Sequence, residues 1–322
     1  MFRLGPALVR RRVCGAQRWI SKEEYQSIVM VGAVASSGKV VEAWTAMKEH
    51  FQTKGLALDV MFFTSYERQV EALLVGFVDV AWNSPLAHVR AQKRLSGKTV
   101  GLAMRDVDYD CETLLVTRKD YGSVPEIQSL KGKRLAVGSY DSPRACMLPI
   151  QALADLGGID LLKTMHVTRF DRDIGTHGDC GRDEVEVIQA LLVNRADFGV
   201  VSRAALKAPS NVEAVKGLRI IEGIFQPRGP ASGMYDSHHF DSSPRLHDEK
   251  KSRFSSCLLD MSAAVPQQKR VMQLFGCKNK WIPPREGYYD ELRWVLQDEA
   301  MRPFPQIPHS PEAHPFKTLE LR

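Results

Sequence analysis

At 322 residues the chain is long enough for about two domains of roughly 150 residues and for a sizeable buried core. Its 44% hydrophobic and 25% charged residues exclude disorder as the main state, and no run approaches the roughly 18 apolar residues of a transmembrane helix. Lys and Arg outnumber Asp and Glu by 44 to 38, a net charge of +6, but the placement of that charge matters more than its sum.

Residues 1–20 contain Arg3, Arg10, Arg11, Arg12 and Arg18 and no acid. Outside this segment 39 basic residues face 38 acidic ones, so the case for a nucleic-acid partner collapses. An Arg-rich, acid-free segment without an apolar h-region resembles a mitochondrial transit peptide. Residues 1–25 are therefore expected to target the protein to the mitochondrial matrix, with a plain basic arm as the alternative. Cys14, Cys111, Cys146, Cys180, Cys257 and Cys277 form no C-x-x-C and no close pair, which fits reduced thiols rather than a zinc or disulfide framework.

In chain order, QSIVMVGA (26–33) reads as a strand, followed by a helix carrying Val40, Trp44, Met47 and Phe51 on one face. ALDVMFF (57–63) is the next strand. A helix then ends in EALLVGFVDVAW (71–82), with Asp79 four residues after Val75 and an apolar run behind it. After the strand-like connector CETLLVTRKD (111–120) the series repeats. KRLAVGS (133–139) is a strand, a helix runs from about Pro143 to Leu156, MHVTRF (165–170) is a strand, and a further helix spans about 182–193. That last helix ends in QALLVNRADFGV (189–200), with Asp197 four residues after Val193. The second copy is longer by the aperiodic loop DRDIGTHGDCGRD (171–183).

Two β-α-β-α-β units predict parallel pairing with right-handed crossovers, and hence two similar α/β lobes. LRIIEGIF (218–225) reads as a second crossing, and helices near 254–261, 267–275 and 288–296 complete the first lobe. The expected division is 26–112 plus 222–300 for lobe 1, 113–221 for lobe 2, and a proline-rich tail at 301–322. Trp44 and Trp281 are expected in the core, while Trp82, at a strand end, fits either core or site.

Ligands of parallel α/β units sit beyond the carboxyl ends of the strands, where helix N-termini favour anions. The loops there hold Ser36, Ser37, Thr64, Ser65, Tyr66, Asn83, Ser84, Ser139, Asp141, Ser142, Thr176, His177, Asp179 and Ser202. Each hydroxyl also has a plain reading as a helix cap, strongest for Ser142 before Pro143. GAVASSGKV (32–40) is not a P-loop, because five residues separate its glycines and Val40 follows Lys39. No nucleophile elbow appears, so no catalytic residue is expected. His177 and the pair His238-His239 lack the spacing of a metal site, so no metal or other cofactor is expected.

Four blocks resemble the phosphate/phosphite/phosphonate substrate-binding proteins of ABC transporters. They are SYERQVEALLVGFVDVAWNSPLAHVRA (65–91), SLKGKRLAVGSYDSP (129–143), RFDRDIGTHGDCGRDEVEVIQALLVNRADFGVVS (169–202) and WIPPREGYYDELR (281–293). The resemblance implies an α/β, two-lobed type 2 periplasmic-binding-protein-like fold, each lobe a mainly parallel sheet with flanking helices, joined by two hinge crossings. It also implies an anion held between the lobes by a Ser/Thr-rich helix start in lobe 2 and by hydroxyls and a tyrosine of lobe 1. On this chain that points to Ser142 and its neighbours Asp141 and Arg144, to Tyr66, Asn83 and Ser84, to His177 and Asp179, and to Tyr235 and His238. Where the family has a Ser-Thr-Ser-Gly-like start, this chain reads Asp-Ser-Pro-Arg (141–144), which removes one N–H donor and adds a carboxylate.

The expected function is non-enzymatic binding of a small oxyanion, using these residues together with Ser36 and Ser37. One alternative is a binding fold recruited as an accessory subunit of a mitochondrial complex, its cleft vestigial. The other is an enzyme on the same scaffold using His177 or His238.

Overall fold

The computed structural model describes residues 9–13, 16–20, 28–35, 39–124, 126–222, 234–285 and 287–296. Ser36, Ser37, the end of the second crossing and the proline-rich tail lie outside them. Within the Arg-rich segment, β1 (Val9–Val13) and β2 (Ala16–Ile20) pair as an antiparallel hairpin, Val13 opposite Ala16.

The first repeat supplies β3 (Val29–Val34), β4 (Leu58–Phe63) and β5 (Val80–Asn83), followed by β6 (Val100–Arg105). The chain then crosses in β7 (Cys111–Arg118) to a second sheet, built from β8 (Arg134–Val137), β9 (His166–Arg169), β10 (Phe198–Ser202) and β11 (Leu218–Ile220). β12 (Met234–Tyr235) pairs with the start of β7, and β13 (His239–Ser242) and β14 (Trp281–Ile282) return to the first sheet. The strand orders are β14-β6-β13-β5-β3-β4 and β11-β7-β10-β8-β9. In each sheet the three strands of the repeat are parallel, as the β-α-β-α-β reading requires. The crossing and returning strands add antiparallel partners beside them, so each sheet is mixed.

The repeats share their fine structure as well as their order. Asp79 exchanges two hydrogen bonds with Met30, its N–H donating to the Met30 carbonyl (2.7 Å) and its carboxylate accepting the Met30 N–H (2.8 Å). Asp197 does the same with Arg134, at 2.9 Å for both bonds. Each carboxylate thus replaces a ladder partner where the third strand of a unit enters the sheet, which is why the sequence echoes there. The helix ends correspond too. Gly76 (φ 86°) and Asn194 (φ 60°) both terminate Ala-Leu-Leu-Val in the left-handed conformation that glycine and asparagine accept most readily.

Helices cover both faces of each sheet. In the first lobe, Trp44, Met47 and Phe51 of the helix Lys39–Thr53 pack with Phe240, Phe254 and Phe275. Trp44 stands edge-on to Phe240 and Phe275, with ring centroids 5.9 and 5.1 Å away. Trp281 is buried in the same core, whereas Trp82 is only half-buried. The helix Tyr66–Val75 covers the other face through Val70 and Leu73. In the second lobe Ile150 and Leu153 pack beneath Leu135, Val137 and Phe198, and Val187, Ile188 and Leu191 cover the opposite face.

The lobes meet over a further apolar cluster of Leu86, Val89, Leu148, Tyr235, Tyr289 and Leu292. The short helix Asp290–Val295 contributes Leu292 and packs against both Pro85–Arg94 of the first lobe and Leu148–Gly157 of the second.

Candidate functional site

Between the lobes lies the aperiodic loop 171–181. Gly175, His177, Gly178 and Gly181 all have φ between 53° and 81°, and this run of left-handed residues explains why no hydrophobic period could be read there. The conformation folds the loop over the helix start that follows β8. Gly178 is forced, because a Cβ at that position would collide with the Ser142 hydroxyl. Asp173, fully buried, anchors the loop by accepting the Arg182 backbone N–H (2.8 Å) and its Nε (2.6 Å).

Two hydrogen-bonded rows cross from this loop to the first lobe. In the first, the Tyr66 hydroxyl donates to Asp179 Oδ2 at 2.5 Å, and His238 Nε2 reaches the same oxygen at 2.7 Å. Ser237 Oγ lies 2.9 Å from His238 Nδ1, which suits a tautomer with Nε2–H directed at Asp179. Trp82 stacks on the outer face of His238 (5.5 Å, 22°), and the Arg105 guanidinium, paired with Asp108, lies over the Trp82 ring. Burial pushes the Asp179 carboxyl up, but His238, Arg144 and Tyr66 more than reverse this and hold it below its ordinary value. Burial and Asp179 push the Tyr66 phenol well above its ordinary range, so it stays a donor.

In the second row, His177 Nδ1 lies 2.6 Å from Ser84 Oγ and its Nε2 3.0 Å from Glu67 Oε1. His177 also stacks on Tyr66 at 4.8 Å. Burial alone would raise the Glu67 carboxyl, but His177 and Arg90 bring it down to about 2. Ser84–His177–Glu67 has the composition of an acyl-transfer triad with its polarity reversed. Ser84 is fully buried and caps the following helix by accepting the Ala87 N–H, while the acid end is half-exposed. The backbone joins the lobes as well, through Tyr66 N–H to the Gly175 carbonyl (2.9 Å).

The helix start after β8 departs from a regular N-terminus. Pro143–Met147 is a widened π-type turn, with the Met147 N–H on the Ser142 carbonyl (3.0 Å), and the regular helix begins only at Leu148. Ser142 Oγ caps the Ala145 N–H (3.2 Å), and buried Asp141 accepts the Gly175 N–H (2.6 Å). Arg144 turns inward. Its Nε lies 3.0 Å from Glu184 Oε2 without hydrogen-bond alignment, and another of its nitrogens donates to the Gly178 carbonyl. Asp183 accepts the Ser139 N–H (3.0 Å), and burial together with Glu184 raises its carboxyl.

Of the residues singled out from sequence, Tyr66, Ser84, Asp141, Ser142, Arg144, His177, Asp179 and His238 therefore come together. Asn83 does not face this cleft; it accepts from Gln69 Nε2 (2.8 Å) and donates to Asp241 Oδ2 (2.7 Å) inside the first lobe. Tyr235 packs in the apolar cluster between the lobes. Sequence reading missed Glu67, Glu184, Arg105 and a buried group of His88, His239 and Asp241. Glu67 directly follows Tyr66, and His239-x-Asp241 places two polar side chains on one face of a strand, a signal that was legible but weak.

Two mixed sheets joined by crossings, with a polar cleft between them, define a two-lobed binding-protein fold of the periplasmic type. Residues 30–289 match the family of ABC transporter, phosphonate, periplasmic substrate-binding proteins, and the chain belongs to that family. Among solved structures it resembles the Prochlorococcus marinus PhnD1 in complex with methylphosphonate (14% identity, TM-score 0.61, 85% of this chain and 99% of that one). It also resembles a Xanthomonas citri protein bound to ATP (15%, 0.64, 86% and 98%). A third likeness is to a binding-protein component of a Pseudomonas aeruginosa ABC phosphonate transporter (15%, 0.54, 84% and 85%).

Proposed function

We propose that the chain is a non-enzymatic binding protein for a small oxyanion of the phosphate or phosphonate class, held between the two lobes. One observation carries this reading. The Tyr66 hydroxyl and the His238 imidazole converge on a single anion bridging the lobes, the chain's own Asp179 carboxylate, which the charge of Arg144 also helps to keep ionised. An external oxyanion offers the same kind of acceptor and competes for the same donors. Methylphosphonate, the ligand of the Prochlorococcus protein, has this chemistry. Three or four charge-assisted bonds of about 1.5–3 kcal/mol each reach the roughly 8 kcal/mol of a micromolar complex.

Thermal unfolding of the purified chain with methylphosphonate, phosphate and sulfate tests the proposal. Saturating methylphosphonate or phosphate is expected to raise the midpoint, by the equivalent of about 2.7 kcal/mol at a hundredfold excess over Kd. An unchanged midpoint with all three anions overturns the oxyanion reading.

A second reading, an accessory subunit of a mitochondrial complex with a vestigial cleft, is favoured by the apolar cluster that clamps the lobes and by Asp179 already engaging the donors. It predicts co-migration with a large assembly on native gradients and no response to anions. A matrix location belongs to either reading and rests on the five arginines of residues 1–20. A fluorescent reporter carrying residues 1–25 is expected in mitochondria; cytosolic fluorescence removes this part of the proposal.

A further inference from the structure

β13 divides the His238-His239 pair between two environments. Alternate residues of a strand point to opposite faces, so His238 enters the cleft while His239 and Asp241 share the other side. There they meet His88 from the helix Pro85–Arg94. His88 Nδ1 lies 2.9 Å from His239 Nε2 and 3.0 Å from both Asp241 oxygens, and His239 Nε2 lies 2.9 Å from Asp241 Oδ1. All three side chains are buried. We propose that this triangle is a structural metal site of the first lobe that takes a divalent first-row transition cation, zinc in the first instance.

Three observations carry the assignment. The donors are two imidazoles and one carboxylate, a set that suits zinc and its first-row neighbours better than the all-oxygen cations magnesium and calcium. Their mutual separations of 2.9–3.0 Å are those of three ligands on one face of an ion. With bonds of about 2.1 Å, such separations subtend roughly a right angle at the metal, the cis angle of a six-coordinate site, and a tetrahedral zinc would open them to about 3.4 Å. Proton placement gives the third. The Tyr289 hydroxyl lies 3.1 Å from the Ser237 carbonyl, which can only accept, and 2.8 Å from His239 Nδ1. When its one proton goes to the carbonyl, its oxygen accepts Nδ1–H, and His239 Nε2 presents a lone pair to Asp241 and His88. The His239 Nε2 lone pair then faces the Asp241 Oδ1 lone pairs at 2.9 Å, an acceptor pair that either a cation or a proton on His88 Nδ1 must bridge. With protons on both facing nitrogens, two N–H groups would crowd the 2.9 Å nitrogen–nitrogen gap, so at most one of them carries a proton.

The surrounding contacts are of the kind that fix metal ligands. Tyr289 orients His239, and Asn83 Nδ2 holds Asp241 Oδ2 at 2.7 Å, while both carboxylate oxygens face His88 and Oδ1 also faces His239. The other His–carboxylate group, Glu67, Asp141 and His177, differs because both His177 nitrogens already have partners in the interlobe row. A metal at the triangle would tie the helix Pro85–Arg94, β13 and the Tyr289 segment into one unit, one residue away from His238. The inference is independent of what the cleft binds.

The test uses the tag-free full chain. Elemental analysis of protein as purified is expected to show about one zinc per chain. After stripping with a chelator and reloading with cobalt(II), visible d–d absorption is expected at one equivalent. Asp241→Asn and His88→Gln are expected to lose both signals, whereas exposed His247→Ala keeps them. Tyr289→Phe, which retains the ring and its packing, is expected to bind cobalt about 10–100-fold more weakly. If the Asp241 and His88 variants fail to fold, the wild-type metal content and the Tyr289→Phe titration still decide. Wild-type protein with no stoichiometric metal as purified and no cobalt absorption after reloading overturns the proposal, leaving a hydrogen-bonded His–Asp core cluster.

Discussion

Replacing Arg144 by alanine is expected to destabilise the protein by about 3–5 kcal/mol, the usual cost of stranding one member of a buried ion pair. The partner left behind is Glu184, whose side chain is 2% exposed. Its other oxygen, Oε1, accepts the Ser202 N–H at 2.5 Å, so the carboxylate cannot swing out to water without breaking the end of β10. Burial alone would weaken the charge on Arg144, and the neighbouring Glu184 and Asp179 carboxylates more than restore it. The double change Arg144→Met with Glu184→Gln keeps the Ser202 acceptor, removes both charges and is expected to recover most of the loss. Urea unfolding of the three proteins measures this. A cost below about 1 kcal/mol for Arg144→Ala would mean that Arg144 behaves as a surface charge.

Asp179→Asn is expected to strengthen methylphosphonate binding by about 10–100-fold, or ~1.4–2.8 kcal/mol, because a like charge beside the anion is removed. The amide oxygen still accepts from Tyr66, so the loop keeps its place. Calorimetric titration of wild-type and variant protein gives the ratio. A fall in affinity would instead make Asp179 an acceptor for the P–OH of the singly ionised ligand. The same substitution has a pH signature. Asp179 in the folded protein lies below its unfolded value of about 3.8, so ionisation stabilises the fold above that value. This contribution is lost as pH falls through the folded value. The amide of the variant has no such proton to gain, so the stability gap between the two proteins is expected to be widest near neutrality and to close in acid below about pH 4.

The site was only partly legible in the sequence. Tyr66, His177 and Asp179 follow from strand-end loops and from the family blocks, His238 from the Tyr-Asp-x-His segment that the resemblance implies after the second crossing, and they do meet. Their roles were not readable, because partner choice depends on atoms more than 100 residues apart, as with Tyr66 and Asp179 or His177 and Glu67. Ser142 and Arg144 illustrate the limit at a single helix start. The Ser-Pro pair announces a cap, and Ser142 does cap Ala145. Nothing local announces that the turn widens, that Gly178 packs on the serine, or that Arg144 finds Glu184 across the lobe.

What the sequence determined by itself is the pair of repeats. Hydrophobic period, the helix-ending Gly76 and Asn194, and the strand-capping Asp79 and Asp197 are short-range signals, each satisfied within its own β-α-β-α-β unit. Only the tertiary structure decided the antiparallel halves of the sheets and the division of His238 from His239. It alone placed Asn83 with Asp241, and Asp179 between Tyr66 and His238. Those choices are made by burial. A polar side chain enclosed by two lobes must find a partner wherever the fold brings one, and sequence distance carries no information about which it will be.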